Sequence, residues 1–410
     1  MTGRVTFTVN VNGKGVVSKF IEIQPTTGNI SDKWNNDPDY LNDMRKQTSV
    51  FGSDYAVSYG FVDNGINTRD QLWIYVTANH ENWLGNLIKR NPASGNAPFS
   101  TLVLPGSHDA GMFTSDFFSL VGQSLNNTAL EKVIEGKCQW QAEISTLKTI
   151  WQLSITQKDN ILSQLQLGTR FFDYRPAYYT LDQKVRPVHN FVPGYLYESF
   201  LNDVVDFLNG HPQEIVVLGV SQDGVCSVFK PFSKADTTTL AGSIIRAKGY
   251  NIQTTDESAL DEKTTIDTLL STNKRLVIID KSFYQNDSYN GDTYKTENPD
   301  NIVGALTTAI TPTIDTTNNK IAKGKYFFQL QGTLSADDKR AINQQFVQSD
   351  TNTPLLYTKP IFDAKTYPWI AERLSSRTAS TAKVASLSPV VLLNDFVDNA
   401  LTDYALSIVR

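Results

Sequence analysis

Cysteine, histidine and methionine are scarce in this chain, with 2, 4 and 3 copies in 410 residues. Two cysteines, Cys138 and Cys226, are too few for a disulfide framework or a thiolate metal site, so the expectation is a pair of free or partly buried thiols. No window approaches the roughly 18 apolar residues of a membrane span, so no transmembrane segment is expected. Positive charge is not in excess either: the net charge of -5 argues against nucleic acid as a bulk electrostatic partner. It leaves any contact with an anionic membrane surface to local apolar or aromatic groups. The N-terminal residues, from Met1 through Val9, lack the apolar core of a secretory signal. This points to a cytoplasmic protein, or to a secreted one whose signal has been removed, peripheral at membranes in either case.

What is present is the composition of a folded globular protein, 40% hydrophobic and 19% charged, long enough for one large core and a smaller unit. Residues 1–95 read as β. Val5, Phe7, Val9 and Val11 alternate with Thr6, Thr8 and Asn10, Asn12-Gly13 makes a turn, and a second strand follows over 15–23. Further strands are expected over 55–62 and 71–77, giving a small antiparallel sandwich as an accessory domain, read as a structural packing unit with lipid or carbohydrate binding as the alternative. Residues 91–98, with Pro92, Gly95 and Pro98, read as a linker. From Thr101 short apolar runs alternate with helical patterns near 156–167 and 196–208, and later runs fall at 275–280, 325–330 and 389–395. That alternation over 98–410 predicts a parallel α/β fold, a TIM-type (β/α) barrel of irregular form. The polar stretches 285–320 and 375–386 are expected to be long surface loops.

Chemistry-bearing residues sit where these apolar runs end. Leu102, Val103 and Leu104 lead into Pro105-Gly106, and Ser107, His108 and Asp109 follow at once. The run at Phe171-Phe172 ends in Asp173 and Arg175. His189 follows Val185–Val188, and Ile215–Val220 is the next strand, preceded by His211-Pro212-Gln213-Glu214. Imidazole titrates near neutral pH and suits proton transfer. Arginine offers a permanent, forked cation for a phosphate. Of the other two histidines, His80 falls in the N-terminal region and His211 at the opposite end of a strand, so both read as structural.

These four pieces, in this order, resemble the X region of the phosphatidylinositol-specific phospholipase C family, over about 98–225. The resemblance implies a phosphodiesterase with His108 as base, His189 as acid and Arg175 as phosphate clamp. It makes Asp395 the partner of His108, at the end of a last strand that neighbours the first in a closed barrel. Asp109 becomes the partner of the His189–Arg175 pair. Lys281, Asp173 and Ser221 are the expected substrate contacts around an inositol head group. The Asp173-Tyr174-Arg175 ending looks like the arginine style of bacterial-type members, which implies no metal and no other cofactor.

Two departures stand out. Ser221-Gln222-Asp223-Gly224 occupies the place where bacterial-type members tend to carry a lysine, and Asn190 follows His189 where glycine is common. They leave a second reading open, a diverged barrel that binds a phosphorylated head group or a protein. A magnesium-dependent lyase is disfavoured by Arg175. The aromatic stretch 111–121, with Phe113, Phe117, Phe118 and Leu120, is expected to form a buried barrel helix, with a membrane-dipping rim as the alternative.

Overall fold

A computed structural model describes residues 3–23, 30–34, 49–62, 71–114, 154–179, 182–189, 192–226, 229–289, 294–310, 314–315, 320–321, 324–332, 354–375 and 387–409. Its centre is an eight-stranded sheet in the spatial order Thr254–Thr255, Leu276–Asp280, Val216–Val220, Phe171–Tyr174, Val103–Ser107, Leu387–Asn394, Gly324–Gln329, Asn286–Asp287. Every neighbouring pair in that order is parallel. Parallel strands are covered on both faces and therefore read as continuous apolar runs, which is why they could be found in the sequence.

The sheet is strongly curled. Phe171 and Phe327 lie on strands three places apart, yet their rings touch edge to face at 5.5 Å between centroids. They share one interior cluster with Leu104, Val217, Val277 and Val391. The closed ring expected of a TIM-type barrel is not seen among the described residues, where no pairing joins Thr254–Thr255 to Asn286–Asp287. Those outer strands are two residues each, which leaves little ladder with which to close. The α/β class stands.

Helices flank the curl. Tyr197–Gly210 and Lys234–Lys248 pack on one side, while Pro299–Ile310, Pro354–Ile370 and Asn399–Val409 pack on the other. The helix at 299–310 corrects the expectation of a long loop over 285–320. Ile302, Leu306 and Ile310 recur at four-residue steps and are all buried, a stripe hidden by the surrounding polar composition. The helix at 354–370 escaped the reading because Pro360 and Pro368 lie inside it. Residues 376–386, and Phe117, Phe118 and Leu120, lie outside the described residues; Phe113 is buried. The cysteine expectation is also corrected: Cys226 is disulfide-bonded, and Cys138, the other cysteine of the chain, lies outside the described residues.

The N-terminal region forms two three-stranded antiparallel sheets. The first joins Gly3–Val11, Lys14–Ile23 and Ile30–Trp34, and the second joins Val50–Phe51, Tyr55–Val62 and Gln71–Ala78. The last of these strands carries Trp73 and Tyr75. The hairpin turn between the first two strands uses Asn12 and Gly13 with φ of 50° and 80°, as a tight two-residue turn requires. Val17 of the first sheet touches Val57 and Tyr59 of the second, so the sheets share a small core. The second sheet also docks on the parallel unit. Asn399 Nδ2 donates to the carbonyls of Ala56 (2.8 Å) and Tyr75 (3.1 Å), and Trp73 packs with Ile155, Leu356 and Phe396. A helix not anticipated in the β-only reading, Trp83–Arg90, places Trp83, Leu84 and Leu87 in the interior cluster beside Leu104 and Ile215.

Candidate active site

Parallel register brings the predicted residues together. Ser107 is opposite Phe172 on one side and Asn394 on the other, so the next residues along, His108, Asp173 and Asp395, emerge at one level of the sheet's C-terminal edge. His108 Nδ1 is 2.7 Å from Asp395 Oδ1. Its other ring nitrogen, Nε2, is 2.9 Å from Arg175 Nη2. A guanidinium has no acceptor, so this second contact requires a lone pair on Nε2. The imidazole is therefore neutral in this geometry, with Nδ1–H donating to Asp395. Arg175 also reaches Asp109, with Nε 2.8 Å from Oδ1, and Asp173, with Nη2 3.5 Å from Oδ2.

Two non-glycine residues beside this cluster have left-handed backbones, Asp109 at φ 42° and Phe396 at φ 47°. Such conformations cost about 1–3 kcal/mol each and persist only where the surroundings impose them. Here they turn the chain sharply just after His108 and just after Asp395. Asp109 Oδ2 and Asp173 Oδ1 are buried without a hydrogen-bond partner, acceptors left open inside the cluster.

His189 arrives by a different route. It ends the strand Lys184–His189, part of an antiparallel ribbon with Pro176–Tyr179, Val192–Pro193 and Lys230–Pro231 that continues from the Phe171–Tyr174 strand. Its Nδ1 lies 3.3 Å from the Ser154 carbonyl oxygen. Burial lowers the proton affinity of His189, and the charge of Arg175 acts in the same sense against the pull of Asp109. For His108 burial also disfavours the charged form, but the carboxylates of Asp109 and Asp395 outweigh it and the net direction is upward. Asp109 itself would be raised by burial, yet Arg175 and the two histidines bring its carboxyl down to about 2. His108 thus holds a proton more tightly than an ordinary imidazole, His189 less tightly, and the Asp109 carboxyl is held ionised.

The remaining predicted residues spread around the mouth. Asp173 is fully buried within the cluster. Lys281 follows the strand Leu276–Asp280, with Nζ 5.0 Å from the Phe327 ring centre and 4.0 Å from Asp223 Oδ2. Ser221 is buried, and its hydroxyl accepts the backbone N–H of Asp223 at 3.0 Å, shaping the loop. That loop presses on the clamp: a Cβ on Gly224 (φ 72°) would lie 2.9 Å from Arg175 Nη1. Glycine here allows backbone and guanidinium to approach.

Sequence reasoning missed the residues that tie the strand ends together. Gln157 Nε2 donates to the carbonyls of His108 (2.8 Å) and Asn394 (3.2 Å), and Thr156 Oγ1 reaches the carbonyls of His108 and Asp109. Neither lies in a recognisable pattern, and their partners are distant in sequence. Tyr289 was also missed; its hydroxyl donates to the Gln331 carbonyl at 2.8 Å, and burial and the nearby Asp395 charge raise its pKa well above that of an ordinary tyrosine.

His108, Asp109 and Asp173 offer three ligand atoms within 4.8 Å of one another. Arg175 already lies against both carboxylates, and three donors fall short of the six to eight oxygens calcium takes. The set suits a guanidinium in the cation's place. The other histidines serve elsewhere: His80 lies 3.0 Å from Asp403, and His211 lies 3.2 Å from Glu81 while stacking on Phe207. A cavity of about 810 Å³ opens between Gln71–Ala78 and Pro354–Ile370, lined by Trp73, Tyr75, Asp363 and Tyr367 among others.

No family model matches the chain. Among curated proteins it is 30% identical over 139 residues to PI-PLC X domain-containing protein 2 of Homo sapiens, a match covering 33% of this chain and 41% of that protein. The Mus musculus protein of the same name is 30% identical over 126 residues, covering 30% and 34%. Human PI-PLC X domain-containing protein 1 is 26% identical over 158 residues, covering 35% and 44%. The matched stretch thus spans less than half the length of these relatives. Among solved structures, the phosphatidylinositol-specific phospholipase C from Listeria monocytogenes covers 80% of this chain and 98% of its own, at 14% identity and a TM-score of 0.45. A mutant of the Staphylococcus aureus enzyme gives 80% and 96%, at 16% identity and a TM-score of 0.46. Over about a third of its length, then, this chain is similar in sequence to proteins of the PI-PLC X-domain, PLC-like family.

Proposed function

We propose that this protein is a phosphodiesterase of phospholipase C type that cleaves phosphatidylinositol or a related glycerophospholipid without a metal. The observation that carries the reading is the convergence of His108, Asp109, Asp173, Arg175 and Asp395 at one sheet edge. His108 takes the proton of the head-group hydroxyl next to the phosphate, and that oxygen bonds to phosphorus. The bond from phosphorus to the glycerol oxygen breaks, and His189 protonates the departing oxygen. The products are diacylglycerol and a cyclic inositol phosphate. Arg175, turned from His108 Nε2 to the phosphate, spreads its charge over two oxygens. Asp395 holds the His108 tautomer and stabilises the imidazolium that forms. Lys281, Asp173 and Ser221 are the head-group contacts in this reading.

A raised His108 and a lowered His189 are each stronger in their assigned roles, at the expense of how often both are correctly protonated at once. The two-unit division, 1–95 and 98–410, belongs to the same proposal. So does transient contact with a membrane surface; among the described residues no helix is long and apolar enough to cross one. The disulfide at Cys226 supports work in an oxidising compartment over the cytoplasm.

The test is incubation with phosphatidylinositol in EDTA, with a cyclic phosphate as the expected product. His108→Ala and His189→Ala should each lower turnover by about 10²–10⁴-fold. Turnover restored only by added metal would overturn the metal-free reading, and an unchanged rate in either variant would remove that residue. One observation favours the second reading, a binding module: Asp223 stands 4.0 Å from Lys281 and its charge acts on Arg175, a carboxylate that competes with a phosphate for both cations. Saturable binding of phosphatidylinositol vesicles with no product would decide for it.

A further inference from the structure

Behind the strand ends lies a second buried charge cluster that the acid–base chemistry leaves unused. Lys359 Nζ lies 2.7 Å from Asp363 Oδ2 and 2.6 Å from Asp398 Oδ2. Tyr367 donates to Asp398 at 2.8 Å, and Tyr75, from the second N-terminal sheet, donates to Asp363 at 3.1 Å. Lys359, Asp363 and Asp398 are all buried. Two carboxylates share one ammonium, and burial, reinforced by Asp398, pushes the Asp363 carboxyl up to about 6. Replacing such a buried ionic set by apolar packing is often neutral or stabilising, so stability alone is a weak reason for its presence.

Its connection to the site is specific. Asn394 Nδ2 donates to Asp363 Oδ1 at 2.9 Å, while Asn394 Oδ1 accepts the backbone N–H of Asp395 at 3.0 Å. The Asn394 backbone carbonyl accepts the N–H of His108 at 3.1 Å. One buried residue therefore touches both halves of the His108–Asp395 pair, by its side chain on one and its backbone on the other. Its orientation follows from its partners, since only the nitrogen can face a carboxylate and only the oxygen an N–H. The turn it grips is the one that carries Phe396 at φ 47°. From the other side Thr156 O accepts the N–H of Phe396 at 2.7 Å and Gln157 Oε1 that of Val397 at 3.0 Å. Two residues on, Asp159 accepts from the backbone N–H and hydroxyl of Ser49, each at 2.9 Å, and Ser49 in turn bonds Ser58. The strained turn is thus held by two arms, and both are rooted in the second N-terminal sheet.

We propose that Asp363 and Asn394 are positioning residues which, with Tyr75, couple the second N-terminal sheet to the turn that aims Asp395 at His108. The sheet is then part of the framework of the site and not a separate recognition unit. The kinetic consequence rests on the proposed phosphodiesterase reading; the geometric one does not.

The experiment therefore reads both. With only four histidines in the chain, the imidazole signals of His108 can be followed by NMR against pH in the full-length protein. Tyr75→Phe and Asp363→Asn are compared with Glu214→Gln, a variant at the far end of the sheet that lowers stability without touching this network. Loosening Asp395 removes support for the imidazolium while Asp109, Asp173 and Arg175 stay in place. The His108 midpoint should therefore fall in Asp363→Asn, and in the same direction by less in Tyr75→Phe. On phosphatidylinositol, kcat should fall roughly tenfold in Asp363→Asn, as for other partners that orient a reacting group, with KM unchanged. A His108 midpoint equal to wild type in Tyr75→Phe, with melting lowered as in Glu214→Gln, overturns the proposal even if Asp363→Asn does not fold. If wild-type protein cleaves no lipid but the midpoint moves, the phosphodiesterase reading fails and the positioning role stands.

Discussion

The two ends of the parallel sheet are built from the same residue types and handle them in opposite ways. At the N-terminal end Arg170, fully buried, donates to Glu214 Oε2 at 2.9 Å and to the carbonyls of Leu165, Thr169 and Glu81. Glu214 accepts in addition the N–H of Gly85 at 2.9 Å. His211 there is stacked and paired. At the C-terminal end Arg175 meets two carboxylates and an imidazole, but Asp109 Oδ2 and Asp173 Oδ1 lack hydrogen-bond partners and the backbone at Asp109 is left-handed. At one end the Arg170–Glu214 pair is satisfied internally. The other holds open acceptors and a strained turn, which fits the ligand-binding role proposed for it.

Substitutions at matched positions should separate the two ends. His108→Ala should lower turnover by about 10²–10⁴-fold while leaving the melting temperature nearly unmoved. Glu214→Ala should do the reverse, destabilising by about 3–5 kcal/mol because it strands a buried guanidinium, with the rate per folded molecule preserved. Urea titration and single-substrate kinetics on both variants check this, and a shared profile would erase the distinction between the ends.

A smaller effect concerns acid. Asp109 has a folded-state pKa of about 2, below its ordinary 3.8, so its contribution is present above the unfolded value and is lost as pH falls toward 2. The shift corresponds to on the order of 2 kcal/mol. Asp109→Asn should flatten that part of the stability-against-pH curve, measured by denaturant midpoints between pH 5 and pH 2. The mildest expectation is the shape of the rate profile. With His108 raised and His189 lowered, kcat/KM should be bell-shaped, its limbs belonging to the coupled pair, with a maximum between them. A single-limbed profile would mean that only one imidazole takes part.

How much of this was legible depends on the range of the forces involved. The strands at 103–107, 216–220 and 276–280 could be read because each is buried on both faces and so is a continuous apolar run. His108, Asp173, Arg175 and Asp395 stand at the ends of such runs, and the order of the pieces suggested their meeting. The helices at 299–310 and 354–370 were hidden, one by polar surroundings and one by its prolines. Gln157, Asn394 and Asp363 were invisible because each acts on partners that no local pattern identifies, as with Gln157 and Asn394, 237 residues apart.

By itself the sequence determined the parallel α/β class and the strand ends that carry His108, Arg175 and Asp395, because burial and strand termination are local properties of composition and order. Only the tertiary structure decided that Arg175 leans on His108 Nε2, that Cys226 is oxidised, and that a sheet from the N-terminal region braces the turn behind Asp395. Those outcomes depend on register and on which side chains share a buried space, and neither is written in any single stretch of the chain.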